Sequence, residues 1–262
     1  MTDNDVVMVI DTSKCTACRS CQVACKQWHS LPAEDTTFSG EYTNPPDVSG
    51  ANLTVVKFLE KEIAGKLRFL FFHERCRHCD NPLCKSACPK GAISKSPVGI
   101  VRIDPNLCVP IGAGACTTAP STVLRPCQTA CPYKTTDGAG MPRWQYNLDG
   151  APQLSKMRKC DFCYNKLAEV GDGAFTDLNV PPFNPTPGVR SSTMPSCMTT
   201  CPPGAILVNR LGAMKPIVVA RLNKLKTSGY PNAIVYPYQW PGTMTHVNWI
   251  LLEHPTVYGL TF

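Results

Sequence analysis

Sixteen cysteines fall into four groups of four, and none is left over. The first group has the spacing C-x2-C-x2-C-x3-C, which is the ligand pattern of a cubic iron–sulfur cluster. Four such sets in one small chain predict four clusters, and four clusters predict a path for single electrons. The groups are Cys15, Cys18, Cys21 and Cys25; Cys76, Cys79, Cys84 and Cys88; Cys108, Cys116, Cys127 and Cys131; and Cys160, Cys163, Cys197 and Cys201.

Two of the groups end in near copies of one sequence, Cys88-Pro-Lys-Gly-Ala-Ile93 and Cys201-Pro-Pro-Gly-Ala-Ile206. Each copy leads into a strand-like segment, Ile100–Ile103 or Leu207–Asn209. The proline after the last cysteine ends a short helix, and the glycine permits the tight turn that follows. This order is typical of a two-cluster ferredoxin, in which the fourth cysteine of each run ligates the other cluster.

Other segments must position these cysteine loops. A short apolar run predicts a strand over Val6–Ile10. Val55–Ile63 and Leu67–His73 flank Ala-Gly-Lys and predict a hairpin. The pattern further predicts a helix over Lys215–Leu225 and a strand over Ala233–Tyr236.

The composition indicates a loop-rich chain with a small core. The 262 residues could form one or two domains, and their apolar fraction of 43% includes the cysteines. With 25 prolines and 18 glycines, long surface loops are expected, notably over Leu31–Asn52 and Gly171–Pro195. Metal–thiolate bonds can supply the missing cohesion, so little stable fold is expected without metal.

Charge and hydropathy exclude several classes of protein. The net charge of +7 is spread along the chain, and no basic run interleaved with aromatic residues indicates nucleic-acid binding. No run of 18 apolar residues predicts a membrane span. The first residues carry Asp3 and Asp5 and lack the features of a signal peptide.

The cysteine loops resemble those of the iron–sulfur subunit of molybdenum and tungsten bis-pterin oxidoreductases. Within that family the likeness is closest to the small (beta) subunit of formate dehydrogenases, and it covers most of the chain. The residues that carry it are Cys15-Thr-Ala-Cys-Arg-Ser-Cys-Gln-Val-Ala-Cys-Lys-Gln-Trp28, Cys76-Arg-His-Cys79, Lys159-Cys-Asp-Phe-Cys-Tyr164, Cys201-Pro-Pro-Gly-Ala-Ile206, Leu31-Pro-Ala-Glu34, Asn44-Pro-Pro-Asp47 and, more weakly, Thr245-His-Val and His254-Pro-Thr-Val-Tyr-Gly259.

The resemblance implies that the first cysteine run pairs with the fourth, and the second with the third. It also implies an order, with cluster one facing the catalytic subunit and cluster four at the far exit. The implied ligands are Cys15, Cys18, Cys21 and Cys201 for cluster one; Cys25, Cys160, Cys163 and Cys197 for cluster two; Cys76, Cys79, Cys84 and Cys131 for cluster three; and Cys88, Cys108, Cys116 and Cys127 for cluster four.

The third run departs from the family pattern, because its gaps are seven and ten residues where the family has two. The inserts Val109–Ala115 and Thr117–Pro126 are rich in small residues and proline, so they could bulge out while both ends return. A full four-iron cluster is expected there. The alternatives are a three-iron cluster, a Cys116 that does not ligate, or no cluster.

The expected fold is α+β and loop-rich, with two interleaved ferredoxin-like modules of the bacterial two-[4Fe–4S] type and insertions. One module takes residues 1–30 and 150–212 and holds clusters one and two. The other takes residues 65–149 and holds clusters three and four. Residues 31–64 are expected to form an inserted loop and hairpin, and residues 213–262 a C-terminal docking extension.

The function that follows is that of a non-catalytic electron-transfer subunit with four [4Fe–4S] clusters. The resemblance implies a large catalytic subunit whose molybdenum or tungsten bis-pterin centre oxidises formate to carbon dioxide. A soluble cytochrome, a ferredoxin or a separate membrane subunit would take the electrons. Periplasmic location by co-export with a signal-bearing partner is expected, with the cytoplasm as the alternative.

Several other functions compete with this one. The same relay could serve another molybdopterin enzyme, acting on a sulfur or nitrogen oxyanion, or the chain could be a freestanding polyferredoxin. Zinc explains Cys-x2-Cys pairs but not the runs that end in Cys-Pro, and disulfides suit shorter secreted chains.

No side chain outside the cysteines is expected to ligate metal. His78 is interpreted as a spacer between two ligands, and His73, His246 and His254 as ordinary structural residues. Packing over or shielding of clusters is expected from Trp28, His29, Tyr133, Phe162 and Tyr164. The chain shows no nucleophile triad, phosphate loop or dinucleotide fingerprint, so no catalytic residue is predicted.

Overall fold

The computed structural model describes residues 1–109, 116, 124–146, 152–164, 194–237 and 245–260. In these residues, short helices and four small sheets are joined by long irregular segments. The strands are β1 (Val6–Asp11), β2 (Thr54–Ile63), β3 (Lys66–Arg75), β4 (Ile93–Lys95), β5 (Val101–Ile103), β6 (Arg143–Tyr146), β7 (Pro152–Arg158), β8 (Ile206–Arg210), β9 (Ile234–Tyr236) and β10 (Val247–Leu251). The helices are α1 (Ser20–Trp28), α2 (Leu83–Ser86), α3 (Pro126–Thr129), α4 (Ser196–Thr199) and α5 (Leu211–Thr227), followed by a 3₁₀ turn over Pro255–Tyr258.

Strand β1 lies at the centre of a four-stranded sheet with the order β8-β1-β10-β9. It pairs antiparallel with β8 and parallel with β10. Side chains alternate between the faces of a strand, and both faces of β1 are buried. Met8 and Ile10 belong to the main apolar core with Trp249, whereas Val7 and Val9 belong to the apolar cluster formed with α5.

The hairpin predicted between the first two cysteine groups is confirmed as β2 and β3. Ala64 and Gly65 at its turn have φ of 52° and 71°, and positive φ at both central residues is typical of a type I′ turn. Burial increases from the exposed tip to the base, where Thr54 pairs with Arg75. The base of the hairpin therefore delivers the end of β3 to the interior, directly before Cys76.

The other segment predictions are mostly confirmed. Strands β1, β5, β8 and β9 lie where predicted, and α5 extends the expected helix at both ends although Pro216 lies inside it. Residues 31–52 contain no helix or strand. Of the predicted loop over 171–195, all but the last two residues lie outside the described residues.

Four short helices carry the cysteines from one group toward another. Cys21 and Cys25 lie on α1, while Cys84, Cys127 and Cys197 lie on α2, α3 and α4, each four residues before the last cysteine of its run. Helix α1 packs against α4, and α2 packs against α3. The first run is therefore next to the fourth, and the second next to the third.

The C-terminal part of the chain contributes to the central sheet. Residues 213–262, expected to form a docking extension, include most of α5 and strands β9 and β10. Because β10 pairs with β1, this region belongs to the same packed body as the first residues of the chain. Its role in docking stays a prediction.

Candidate iron–sulfur sites

All sixteen cysteines lie in the described residues, and none forms a disulfide. The thiols come together in four groups, named here by the cluster that each was predicted to hold. Site one has Cys15, Cys18, Cys21 and Cys201; site two has Cys25, Cys160, Cys163 and Cys197; site three has Cys76, Cys79, Cys84 and Cys131; and site four has Cys88, Cys108, Cys116 and Cys127.

Site one lies between the loop after β1 and the end of α4. Burial raises the pKa of the Cys15 thiol to about 11, against the lowering effect of the Ala17 N–H, and the nearby thiols of Cys201 and Cys18 add to the rise. Backbone N–H groups donate to two of its sulfurs, from Ala17 to Cys15 Sγ and from Ala205 to Cys201 Sγ, each at 3.3 Å.

Site two is the most deeply enclosed of the four, since all its thiols are buried. Burial raises the pKa of Cys25 well above its usual range, and the other three thiols of the site raise it further. Burial and Cys197 likewise raise the pKa of Cys163 to about 12. The Asp161 carboxylate accepts a hydrogen bond from the Cys163 N–H at 2.8 Å, which fixes this loop.

Site three surrounds a cavity of about 340 Å³. Its four thiols line this cavity together with Tyr133, Met141 and Lys159. Burial raises the pKa of Cys79 to about 12 and that of Cys84 to about 11, with the neighbouring thiols of the site adding to both.

Site four surrounds a second cavity, of about 360 Å³, that its four thiols also line. Cys116 also lines this cavity, and its N–H donates to the Val109 carbonyl at 3.1 Å. Cys108 Sγ accepts a hydrogen bond from the Met157 N–H at 3.3 Å. The irregular third run thus brings three thiols beside Cys88, although residues 110–115 and 117–123 of its inserts lie outside the described residues.

The backbone is bent sharply at the cysteine loops. Of the seven described non-glycine residues with positive φ, five lie in these loops. Because such backbone angles are uncommon for residues with a Cβ and gather at functional sites, they support a role in wrapping a bound group. The five are Ala17, Arg19, His78, Phe162 and Cys163.

These residues fit iron–sulfur clusters. Each site offers four sulfur donors, the set that cubic clusters require, and two of the sites enclose a cavity lined by all four. Their raised pKa values keep many of these thiols protonated at neutral pH, so metal binding must displace protons.

Thiols of neighbouring sites also interact, and these interactions give the sites an order. After the larger effect of burial, Cys197 raises the pKa of Cys21, Cys160 raises that of Cys76, and Cys84 raises that of Cys127. The three interactions join site one to two, two to three, and three to four. Each of sites one to three therefore lies close to the site that follows it.

Comparison with known proteins identifies the family. A model described as a 4Fe-4S dicluster domain matches residues 67–174. The chain is 33% identical, over 84% of its length, to formate dehydrogenase subunit beta of Megalodesulfovibrio gigas, of which it covers 83%. The chain belongs to the family of formate dehydrogenase iron–sulfur subunits.

Two more relatives are similar over most of the iron–sulfur subunit. The iron–sulfur subunit of the nitrate-inducible formate dehydrogenase of Escherichia coli is 32% identical over 97% of the chain, which covers 71% of that protein. Formate dehydrogenase 2 subunit beta (cytochrome c-553) of Nitratidesulfovibrio vulgaris is 31% identical over 86% of the chain, which covers 85% of that protein.

The family confirms the coarse fold, which is a 4Fe-4S dicluster, ferredoxin-like domain of mixed α and β structure. The division into two interleaved modules and the assignment of each cysteine to a cluster stay predictions. None of the described helices combines the length and the apolar character that a membrane span needs.

Three side chains that contact the sites were not predicted. His73, interpreted as an ordinary structural residue, has Nε2 3.2 Å from Cys15 Sγ. The Arg75 guanidinium donates to Cys160 Sγ at 3.2 Å and to Cys197 Sγ at 3.5 Å. Lys159 lines the cavity of site three and donates to the carbonyls of Val101 and Cys160. A cationic residue directly before a Cys-x2-Cys pair, as in Arg75-Cys76 and Lys159-Cys160, is the sequence feature that could have indicated these contacts.

His73 is neutral in this setting. Burial, with the help of the Arg75 charge, lowers the pKa of His73 to about 3. Its ring can therefore donate a single N–H, and both ring nitrogens face sulfurs of site one, with Nε2 3.2 Å from Cys15 Sγ and Nδ1 3.8 Å from Cys21 Sγ. This side chain of β3 thus supports site one in the iron–sulfur subunit.

The other histidines have ordinary partners. His78 Nδ1 accepts from the Val101 N–H at 3.1 Å, in keeping with a spacer. His246 Nδ1 lies 2.9 Å from the Val6 carbonyl, and the His254 side chain caps the 3₁₀ turn. His29 pairs with Asp161 at 3.3 Å.

The aromatic residues predicted to shield clusters differ in burial. Phe162 is fully buried in an edge-to-face contact with His78, and Tyr133 lines the cavity of site three. Tyr164 is half-buried beneath the guanidinium of Arg102, and Trp28 is partly exposed.

Proposed function

We propose that this chain relays single electrons through four [4Fe–4S] clusters, between the catalytic subunit of a formate dehydrogenase and an external redox partner. The observation that carries the proposal is the gathering of sixteen thiols into four groups in series. Each cluster, when bound, accepts and passes on one electron. The remaining work, holding the clusters and setting their surroundings, falls to the residues of this chain.

Backbone and side-chain groups of the chain surround the sulfurs in specific ways. N–H groups of Ala17, Ala205 and Met157 donate to ligand sulfurs in sites one and four. Hydrogen bonds to sulfur, net charge and exclusion of water are the means by which a protein sets cluster potentials. Hydrogen bonds to sulfur of this kind are present in sites one and four, the proposed ends of the electron path.

The exposure of the thiols supports a direction for the path. Cys18 of site one is the single exposed cysteine among the sixteen, and site two is wholly buried. Electron transfer between subunits is favoured where a cluster lies close to the surface, which supports site one as the entry from the catalytic subunit. That subunit is proposed to hold the molybdenum or tungsten bis-pterin centre and the formate site.

Site four is then the proposed exit. The name of one relative includes a cytochrome, which supports a cytochrome as the external partner of this chain too. Copurification with a large subunit would distinguish this proposal from a freestanding polyferredoxin.

The cluster count can be tested by iron and sulfide analysis with EPR on the purified complex, corrected for the iron of the large subunit. We expect about sixteen irons in this chain, four for each set of four cysteines. Cys116→Ser should lower the count to about twelve and remove one EPR signal.

Val109→Ala is the matched control, because Val109 lies next to Cys108 but offers no ligand atom. It should keep the full count. About twelve irons in the unmodified chain would show that the third run holds no cluster, and an unchanged count in Cys116→Ser would exclude Cys116 as a required ligand.

An exposed aromatic patch lies beside the proposed entry. It consists of Tyr42, Phe58, Phe69 and Phe71, with ring centroids 5.1–6.1 Å apart. Tyr42 is 66% exposed and Phe69 44%. Arg19, the residue after Cys18, lies over the Phe58 ring at 4.6 Å. Because exposed apolar patches mark interaction surfaces, we propose that the catalytic subunit covers this one.

Phe69→Glu should therefore weaken binding of the catalytic subunit by about tenfold or more, since a buried aromatic anchor carries much of an interface energy. The measurement is the Kd between the separated subunits. Lys61→Glu changes the charge of the same hairpin away from the patch and should leave the Kd nearly unchanged.

Val219→Glu tests the competing surface, because Val219 is 50% exposed on α5 in the predicted C-terminal docking extension. Weakening by Val219→Glu without weakening by Phe69→Glu would assign the docking surface to that extension instead.

A further inference from the structure

Arg75 is a buried cation at the end of β3. Its side chain is 2% exposed, and a charged group is almost never buried in a protein without a counter-charge. Unlike lysine or histidine, a guanidinium stays protonated in proteins. The interior of this chain therefore holds a permanent positive charge that some other group must balance.

The hydrogen-bond partners of this guanidinium are sulfur atoms. Its terminal nitrogens donate to Cys160 Sγ at 3.2 Å, Cys197 Sγ at 3.5 Å and Met8 Sδ at 3.2 Å. Its Nε has no hydrogen-bond partner among the residues that the structure describes. Among the described residues, no carboxylate forms an ion pair with Arg75. The described groups that accept hydrogen bonds from it and can carry negative charge are the sulfurs of Cys160 and Cys197 in site two.

Arg77, two residues away, provides the contrast. It is as deeply buried, at 3%, but the Glu74 carboxylate pairs with it. The carboxylate of Glu74 neutralises the charge of Arg77. The charge of Arg75, in contrast, acts on the sulfurs of Cys160 and Cys197.

We propose that Arg75 is the counter-charge of site two and raises the reduction potential of the cluster there. The inference rests on the proposed function in one respect, that a cluster is held by Cys25, Cys160, Cys163 and Cys197. Reduction adds one electron to that cluster and no proton is required. A fixed positive charge in contact with two of its sulfurs stabilises the reduced form more than the oxidised form.

The role is positional as well as electrostatic. Two sulfurs from distant parts of the chain, on Cys160 and Cys197, meet the same guanidinium. The fork of N–H groups on arginine suits such two-point contacts better than the single point of lysine. Arg75 therefore ties the two halves of site two together while it supplies the charge.

The test is a redox titration of the purified complex followed by EPR. The signal of site two is assigned as the one lost in Cys163→Ser. At the potential where this signal is half reduced in the unmodified complex, Arg75→Met should lower the ratio of reduced to oxidised site two by about tenfold or more. Tenfold corresponds to about 59 mV for a one-electron couple.

Arg75→Lys keeps the positive charge. It should change the ratio of reduced to oxidised site two by less than about threefold, which is well below the tenfold change, about 59 mV, expected for Arg75→Met. The double variant Glu74→Gln/Arg77→Met removes a neighbouring cation together with its counter-charge, so its site-two midpoint should not move.

Several outcomes would overturn the proposal. These are an unchanged midpoint in an Arg75→Met complex with full iron content, or a shift in Arg75→Lys as large as that in Arg75→Met. If Arg75→Met and Arg75→Gln both lose the iron of site two, the result for Arg75→Lys distinguishes the two explanations. An Arg75→Lys complex that keeps the iron and the midpoint potential of site two supports the counter-charge, whereas one that loses the iron assigns Arg75 a packing role. A low iron content in the unmodified complex would instead contradict the proposed function.

Discussion

Removal of iron is expected to unfold the cysteine loops of this chain while the central sheet keeps much of its protection. Two of the apolar clusters are built around cysteines, which are three of the six buried residues in one (Cys76, Cys131 and Cys160) and two of the six in the other (Cys108 and Cys127). Without metal these clusters lose their main bonds. A structural metal site contributes about 10–16 kcal/mol in zinc-finger peptides, as much as the whole stability of an ordinary domain, about 5–15 kcal/mol.

The sheet should behave differently because its packing against α5 contains no cysteine. Val7, Val9, Leu211, Met214 and Ile250 form the centre of that cluster. Local unfolding proceeds in cooperative units, and this cluster is the part of the chain best able to persist alone.

Hydrogen exchange resolved by peptide, before and after anaerobic chelation of iron, measures the difference. Peptides of β1 and α5 should keep slow exchange, and those over residues 76–88 and 197–201 should lose it. The complex incubated without chelator is the control. Equal protection of both regions after full iron loss would contradict the expectation.

The second large effect is interruption of the electron path at site two. Cys197→Ala removes one thiol of the buried site, and we expect loss of about four irons and one EPR signal. Because the proposed path runs through the four sites in series, formate should then reduce site one but leave sites three and four oxidised. Electron delivery to the external carrier should fall below detection.

A chemical reductant distinguishes an interrupted electron path from loss of the clusters in sites three and four. Dithionite should still reduce sites three and four in Cys197→Ala, because none of their proposed ligands lies on α4. Met198→Leu, at the next buried position of α4, should leave both delivery and reduction intact. Continued reduction of the carrier in Cys197→Ala would show that electrons bypass site two.

Local features of this chain could be predicted from its sequence because they depend on near neighbours. The one-turn helices follow from cysteines spaced four apart and closed by Cys-Pro. The β2–β3 hairpin follows from two apolar runs around Ala64 and Gly65. Gly91 and Gly204 take the positive φ, 61° in both, that their turns were predicted to need.

The long-range contacts could not be predicted in the same way. Short apolar runs such as β1 and β10 look alike as strands, and nothing local indicates that Met8 pairs with Val247. The contacts of His73 and Arg75 with sulfurs depend on how deeply β3 enters the interior. Side-chain alternation along this strand directs both residues inward, but only the fold determines what they meet.

The pairing of β1 with β10 has a consequence for synthesis of the chain. All proposed ligands of sites three and four have been made once Cys131 is in place, but site two is complete only after Cys197 and site one only after Cys201. The central sheet is completed later still, since the parallel partner of β1 is strand β10, which ends at Leu251. As the chain leaves the ribosome, the exit end of the electron path can therefore be completed first. The entry end, which is proposed to meet the catalytic subunit, becomes complete only after Cys201 has been added, so a shorter chain cannot present a working junction.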